Sequence, residues 1–174
     1  MDKDNGLNYP KRAVVDTNVI LNVALGSLDN LPPENLKRSK KLLDDALGGK
    51  LELLLPTISL IELSSDHLLR SEEKNPSNSM FKRMKKKVMQ WCEDSELPFA
   101  ELPLGAAEWF NETESAQCIF PLDASIVASA IFSHSSVVYT WDDRLIHLVE
   151  RANRQSPIGI TAMNPPVRPL TLGI

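Results

Sequence analysis

Short apolar runs alternate with amphipathic stretches along this chain, and their periods predict its elements. Arg12-Ala13-Val14-Val15 is a compact apolar run ending at Asp16 and reads as a buried strand. Thr17 to Leu25 continues with helical spacing until Gly26 stops it. Pro32-Pro33 suits the first turn of a second helix, since proline costs nothing where the amide has no partner. Leu36, Leu42, Leu43, Ala46 and Leu47 form its apolar stripe, and Gly48-Gly49 end it. Leu51 to Leu55 predicts a second strand closed by Pro56, followed by a helix from Thr57 to about Leu69. Residues 71–79 (SEEKNPSNS) are polar, contain Pro76 and read as a loop.

Helical spacing returns from Met80 to Trp91, with Met84, Val88 and Trp91 on one side and lysines opposite. Phe99 to Leu102 reads as a short strand and Ala106 to Gln117 as a helical segment. Pro121-Leu122-Asp123 leads into a small-residue helix, Ala124 to Phe132, and Ser136 to Thr140 is a strand. Asp142 or Asp143 caps a helix to about Arg154, and Ile158 to Thr161 reads as a last strand. Strands that alternate with helices predict a parallel sheet covered on both faces. The expected fold class is therefore α/β: a three-layer α/β/α sandwich in a single domain over 1–174. Residues 1–11 read as a flexible N-terminus and 162–174 as a proline-rich tail.

Composition narrows the function classes. A chain of 174 residues with 43% hydrophobic content suits one folded domain with one core. No apolar run approaches the roughly 20 residues that span a bilayer. The opening MDKDNGLNYPKR lacks the apolar stretch of a secretory signal. Cys92 and Cys118 lie outside any CxxC spacing and read as reduced thiols rather than a staple or zinc ligands. A cytoplasmic protein with no membrane partner is the expectation. The net charge of -4 argues against a DNA coat or repressor, which needs a basic face. It leaves room for a nuclease whose own metal ions neutralise phosphate. His67, His134 and His147 share no ligand spacing, and no GxxxxGK[ST] loop exists to cradle a nucleotide.

The chemistry lies in the acids. Asp16 follows the first strand, Glu62 lies in the helix after the second, Asp123 begins a helix, and Asp142 follows strand 136–140. In open parallel sheets ligands bind beyond the carboxyl ends of the strands, so all four acids fall near one edge. Each also has a structural reading. Asp16-Thr17-Asn18 makes a turn and helix cap, Ser59-x-x-Glu62 matches a capping box, and Asp123 and Asp142 suit helix starts. Together they present a repulsion of roughly 4 kcal/mol per pair at about 4 Å and an effective dielectric of about 20. Such a cluster persists when an acid stays protonated or a hard cation neutralises it. Oxygen ligands without histidine or cysteine favour Mg²⁺ or Mn²⁺ over zinc.

These segments resemble those of the PIN-domain ribonucleases. Val14-Val15-Asp16-Thr17-Asn18-Val19-Ile20-Leu21 looks like that family's opening motif, and Pro56 to Leu63 is similar to the segment bearing its glutamate. Leu122-Asp123-Ala124-Ser125-Ile126-Val127-Ala128 resembles its Asp-Ala-x-Ile-x-Ala helix, and Tyr139 to Leu145 its Thr-x-Asp segment. The motifs occur in the family's order and cover most of the chain. The resemblance implies a PIN-like sandwich that cleaves RNA with Mg²⁺ or Mn²⁺. It implies Asp16, Glu62, Asp123 and Asp142 as catalytic and metal-binding acids, Asp143 as a metal-binding stand-in for Asp142, and Thr17, Asn18 and Thr140 in support. It also admits a homodimer and, for a toxin of a toxin–antitoxin pair, an antitoxin partner. The long basic stretch 71–89 departs from the compact toxins.

Other features carry paired readings. Lys82, Arg83, Lys85, Lys86 and Lys87 are either a solvated helix face or a surface that tracks RNA phosphates into the acidic site. Trp91 and Trp109 read as packing residues, whereas Trp141, beside Asp142, either packs or stacks a base. Two rival functions stand beside the nuclease. A haloacid-dehalogenase-like phosphatase also starts from an aspartate after the first strand, but Asn18 stands where its second acid belongs. A non-catalytic PIN-like scaffold would bind RNA or protein without cutting.

Overall fold

Successive side chains of each inner strand enter different cores. In β1 (Arg12–Val15), Ala13 and Val15 join Leu53 and Leu55 of β2 (Glu52–Pro56) and Val137 and Tyr139 of β4 (Val137–Tyr139). Val14, Leu54 and Val138 join the opposite core. A pleat of period two does this whenever both faces of a sheet are covered, so the strands read as unbroken apolar runs. The coordinates are a computed structural model that describes residues 9–26, 32–64 and 78–167.

Within those residues β1 is followed by α1 (Thr17–Leu25), α2 (Pro33–Leu47), β2 and α3 (Thr57–Ser64). Then come α4 (Asn78–Asp94), β3 (Phe99–Ala100), α5 (Gly105–Glu112) and a 3₁₀ turn at Glu114–Cys118. α6 (Pro121–Phe132), β4, α7 (Asp143–Gln155) and β5 (Thr161–Met163) complete the order. All the pairings are parallel, in the order β3-β2-β1-β4-β5. Val19, Ile20 and Leu21 of α1, Leu42 and Leu43 of α2 and Val88 of α4 cover one face. Ile126, Val127 and Ala130 of α6 and Leu145 and Val149 of α7 cover the other. The chain is thus a three-layer α/β/α sandwich with a parallel sheet. The order reverses at β1, which places the switch-point crevice between the carboxyl ends of β1 and β4. Among the described residues no helix is long and apolar enough to cross a membrane.

Several element boundaries differ from expectation. Leu47 is 66% exposed rather than part of the buried stripe of α2. The inward positions there belong instead to Ser39 and Asp45. Buried Asp45 is tolerated because Lys41, Lys50 and the Tyr9 hydroxyl reach its carboxylate at 2.9, 2.8 and 2.6 Å. Burial alone would raise its pKa, yet these donors overcome that and hold it at about 2.

Asn78 and Ser79 start α4 rather than ending a loop, and β3 is only two residues long. The segment after Gly105 breaks at Thr113 into the 3₁₀ turn. α6 starts at Pro121, so Asp123 lies inside its first turn. The last strand starts at Thr161, not Ile158, and takes the first two residues assigned to the tail. Asn153 explains the shift: its side chain accepts from Ile158 N and donates to Ile160 O, holding that stretch against α7. Residues 65–69 of the expected third helix, His67, loop residues 71–77, and the termini 1–8 and 168–174 lie outside the described residues.

Candidate active site

Asp16 stands where β1 ends, and its backbone N–H donates to Tyr139 O at 2.9 Å, extending the pairing with β4. Its extended backbone makes it the N-cap of α1. One carboxylate oxygen, Oδ1, accepts from Thr17 N at 2.6 Å. The other, Oδ2, accepts from Thr140 Oγ1 at 2.6 Å and from Asn18 Nδ2 at 2.7 Å. The residue is only 6% exposed. Burial, and then the nearby charges of Glu62 and Asp123, push its pKa up to about 7 against the pull of the Thr140 and Thr17 hydrogen bonds.

Thr140 is the hub beneath it. Its hydroxyl donates to Asp16 and accepts from Asn18 Nδ2 at 3.0 Å and from Asp142 N at 2.9 Å, so both lone pairs and its proton are used. Asn18 closes the loop by accepting Trp141 N on Oδ1 at 3.0 Å. The start of α1 and the end of β4 are thereby cross-linked by polar groups with little freedom left.

Glu62 reaches the same place from α3. The Thr17 hydroxyl donates to its Oε2, and the Ser59 hydroxyl lies 2.8 Å from the same Thr17 oxygen. Ser59 is buried inside α3, so the capping box suggested by Ser59-x-x-Glu62 is not formed; both side chains serve Thr17. Burial raises the Glu62 pKa and the Asp123 charge adds to it, while the Thr17 hydrogen bond opposes.

Asp123, in the first turn of α6, accepts from Arg144 Nη2 at 3.1 Å. Burial raises its pKa and Asp142 adds to the rise, while Arg144 opposes it. Asp142 rather than Asp143 caps α7, accepting on Oδ1 from Arg144 N at 2.8 Å and Leu145 N at 3.4 Å. Asp143 is exposed at the first position of α7, and its side chain forms no hydrogen bond among the described residues.

The four acids thus feel one another in sequence: Asp16 with Glu62 and Asp123, Glu62 with Asp123, and Asp123 with Asp142. Each also leans on a partner of its own. Among the described residues no three His, Cys, Asp or Glu side chains are gathered closely enough to hold a metal ion as they stand. The donor chemistry, oxygen throughout, suits a hard cation. The side-chain arrangement does not yet grip one.

Lys82, Arg83, Lys86 and Lys87 are exposed and Lys85 is half-buried. Their helix, α4, packs on α1 and α3, the helices that carry Thr17, Asn18 and Glu62, and Lys87 Nζ donates to Leu25 O at 3.2 Å. Trp141 is half-buried against the first core, donates from Nε1 to Ser39 Oγ at 2.9 Å and lies under the Arg38 guanidinium at 4.8 Å. It packs. Trp91 and Trp109 pack against the two cores, and His134 and His147 are exposed. Local sequence pattern marks no functional role for Ser59 or Arg144; the only signal for Arg144 is its place two residues after Asp142. The chain matches no protein-family model, and no curated protein matches it significantly.

Proposed function

We propose that this protein is a divalent-metal-dependent ribonuclease of PIN-domain type, hydrolysing RNA phosphodiesters at Asp16, Glu62, Asp123 and Asp142 with Mg²⁺ or Mn²⁺. One observation carries the reading. A buried carboxylate at the switch point is held by three of the chain's own donors and coupled by charge to further acids. Burying like charges together costs several kcal/mol, a cost with no evident structural return at a strand end.

A bound hard cation would polarise the phosphoryl group and lower the pKa of its water. The chain's own residues do the positioning. Thr140, Asn18 and the Thr17 amide fix the Asp16 oxygens, as groups behind metal ligands do. The Thr17 hydroxyl orients Glu62. The exposed basic face of α4 offers phosphate-tracking charge beside these helices.

The deciding experiment is cleavage of mixed RNAs under Mn²⁺ titration, with Asp16→Asn as control. Cleavage should depend on metal and vanish in the variant. Activity that survives in Asp16→Asn would remove this site from the reaction. A second reading, a non-catalytic scaffold that binds RNA or protein, is favoured by the acids' dispersal onto internal partners. It predicts RNA binding without metal-dependent cleavage.

A further inference from the structure

From β3 to the end of α6 the chain changes character. Residues 99–132 carry Glu101, Glu108, Glu112, Glu114 and Asp123 but no lysine or arginine, which leaves 18 of the 23 acids against all 19 basic residues elsewhere. The rest is close to neutral, so the net charge of -4 resides in this stretch. Arg144 reaches it from α7, over the ring of Phe120, and is paired with Asp123. The four glutamates are exposed and form no ion pair among the described residues.

The same stretch builds an apolar groove of about 290 Å³. Leu102 and Leu104, before α5, and Phe110 of α5 line one side, and Pro121, Ala124 and Ala128 of α6 line the other. The one polar side chain in the lining, Ser125, donates to Pro121 O at 2.9 Å within α6. Leu104 is 84% exposed and occupies the N-cap position of α5, where it forms no side-chain hydrogen bond. A serine, aspartate or asparagine there would hold an orphan amide and stabilise the helix. Leucine forfeits that and adds apolar surface to water, so its return lies outside the folded chain.

We propose that this groove docks a basic amphipathic helix of another protein, with apolar side chains seated between α5 and α6 and lysines or arginines against the glutamates. The inference is independent of the nuclease reading.

Charge and shape select this occupant. α5 packs on α6, and a third helix can seat a ridge of apolar i, i+3, i+4 anchors between two such helices. Glu101 and Glu108 adjoin the lining residues Leu102 and Ala107, so a cationic flank is attracted and anionic partners are repelled. RNA is disfavoured, because its phosphates would face these carboxylates. Small-molecule sites place polar groups to orient the ligand, and this lining offers one hydroxyl, already engaged. A second copy fits poorly. The same face against itself opposes acids to acids, and among the described residues the exposed positions of basic α4 are polar throughout, without an apolar anchor.

Fluorescence anisotropy of a labelled leucine–lysine amphipathic peptide, about four helical turns long, measures the docking, with its leucine–glutamate counterpart as control. The lysine peptide should bind, more weakly as salt rises, and the glutamate peptide should not. Leu104→Ser should weaken the lysine peptide at least about fivefold while leaving the melting temperature equal or higher, because serine caps α5. Ala107→Gln, which fills the lining from an exposed position of α5, should weaken it likewise. Glu101→Gln combined with Glu108→Gln should flatten the salt dependence. Failure of the lysine peptide to bind, or equal binding of the glutamate peptide, overturns the proposal, as does undiminished binding in both groove variants. Displacement of the bound peptide by an oligouridylate would give the groove to RNA. A wild-type dimer that Leu104→Ser separates in sedimentation would give it to a second copy. Either result overturns the protein partner.

Discussion

Thr140 shows how much one hydroxyl can carry: it donates to Asp16 and accepts from Asn18 and from the Asp142 amide. Thr140→Val keeps the shape and removes all three contacts in a fully buried place. Unpaired buried groups of this kind cost about 1–3 kcal/mol, so denaturant unfolding should register a loss in that range. Thr140→Ser should retain most of the stability. Asp16 makes a prediction about pH. Its pKa rises from 3.8 to about 7 on folding, so between those values the native state holds a proton that the unfolded chain has released. Stability from this group is full below the lower value and is lost as pH rises through about 7. Glu62 and Asp123, also raised, act with the same sign. Metal-free protein should therefore unfold more easily at pH 8 than at pH 5, and Asp16→Asn should flatten that slope. A wild-type profile that rises over this window would contradict the buried cluster. The absolute stability of Asp16→Asn is a poorer guide, because Asn18 Nδ2 would face an amide in place of a carboxylate oxygen. At this scale the sequence disclosed that acids follow the strands but not what those acids touch. Asp16 and Thr140 are 124 residues apart, and nothing local links them.

Among the elements, α7 gives the sharpest test, because Asp142 both caps it and stands among the site acids. Asparagine caps a helix about as well as aspartate, whereas alanine forfeits about 0.5–2 kcal/mol. Asp142→Asn should therefore melt like wild type yet cleave poorly, while Asp142→Ala should lose both stability and activity. Full cleavage by Asp142→Asn would leave the residue as a cap alone. Periodicity located this element and α1 well, since a stripe, a cap and a glycine stop are local signals. α3 shows where local signals mislead. Ser59-x-x-Glu62 has capping-box spacing, but the helix starts at Thr57 directly after β2, so Ser59 is already inside it and turns to Thr17. β5 slipped for a similar reason. Its apolar run begins at Ile158, while the hydrogen bonds of Asn153 delay the strand to Thr161. Apolar content marks a strand's neighbourhood; pairing sets its ends.

For the whole molecule, the strand order β3-β2-β1-β4-β5 brings scattered acids to one edge of the sheet, where their charges reach one another. It also sets α4 against α1 and α3, bringing a basic face to the helices of the acidic edge. Reversing Lys85 and Lys86 to glutamate should weaken RNA binding and flatten its dependence on salt, because fewer counter-ions are then released. Unchanged binding in the double variant would return this face to plain solvation. The alternation of apolar runs and amphipathic stripes by itself determined that this chain builds a parallel sheet with helices on both faces. It likewise determined that acids follow the strands, because side-chain period and strand-end position are properties of neighbouring residues. Only the tertiary structure decided what those acids touch: Glu62 on Thr17, Asp123 on Arg144, and Asp16 on Thr140. These pairs join residues 21 to 124 positions apart, and crossover paths and helix packing, not local pattern, bring such residues within hydrogen-bond reach.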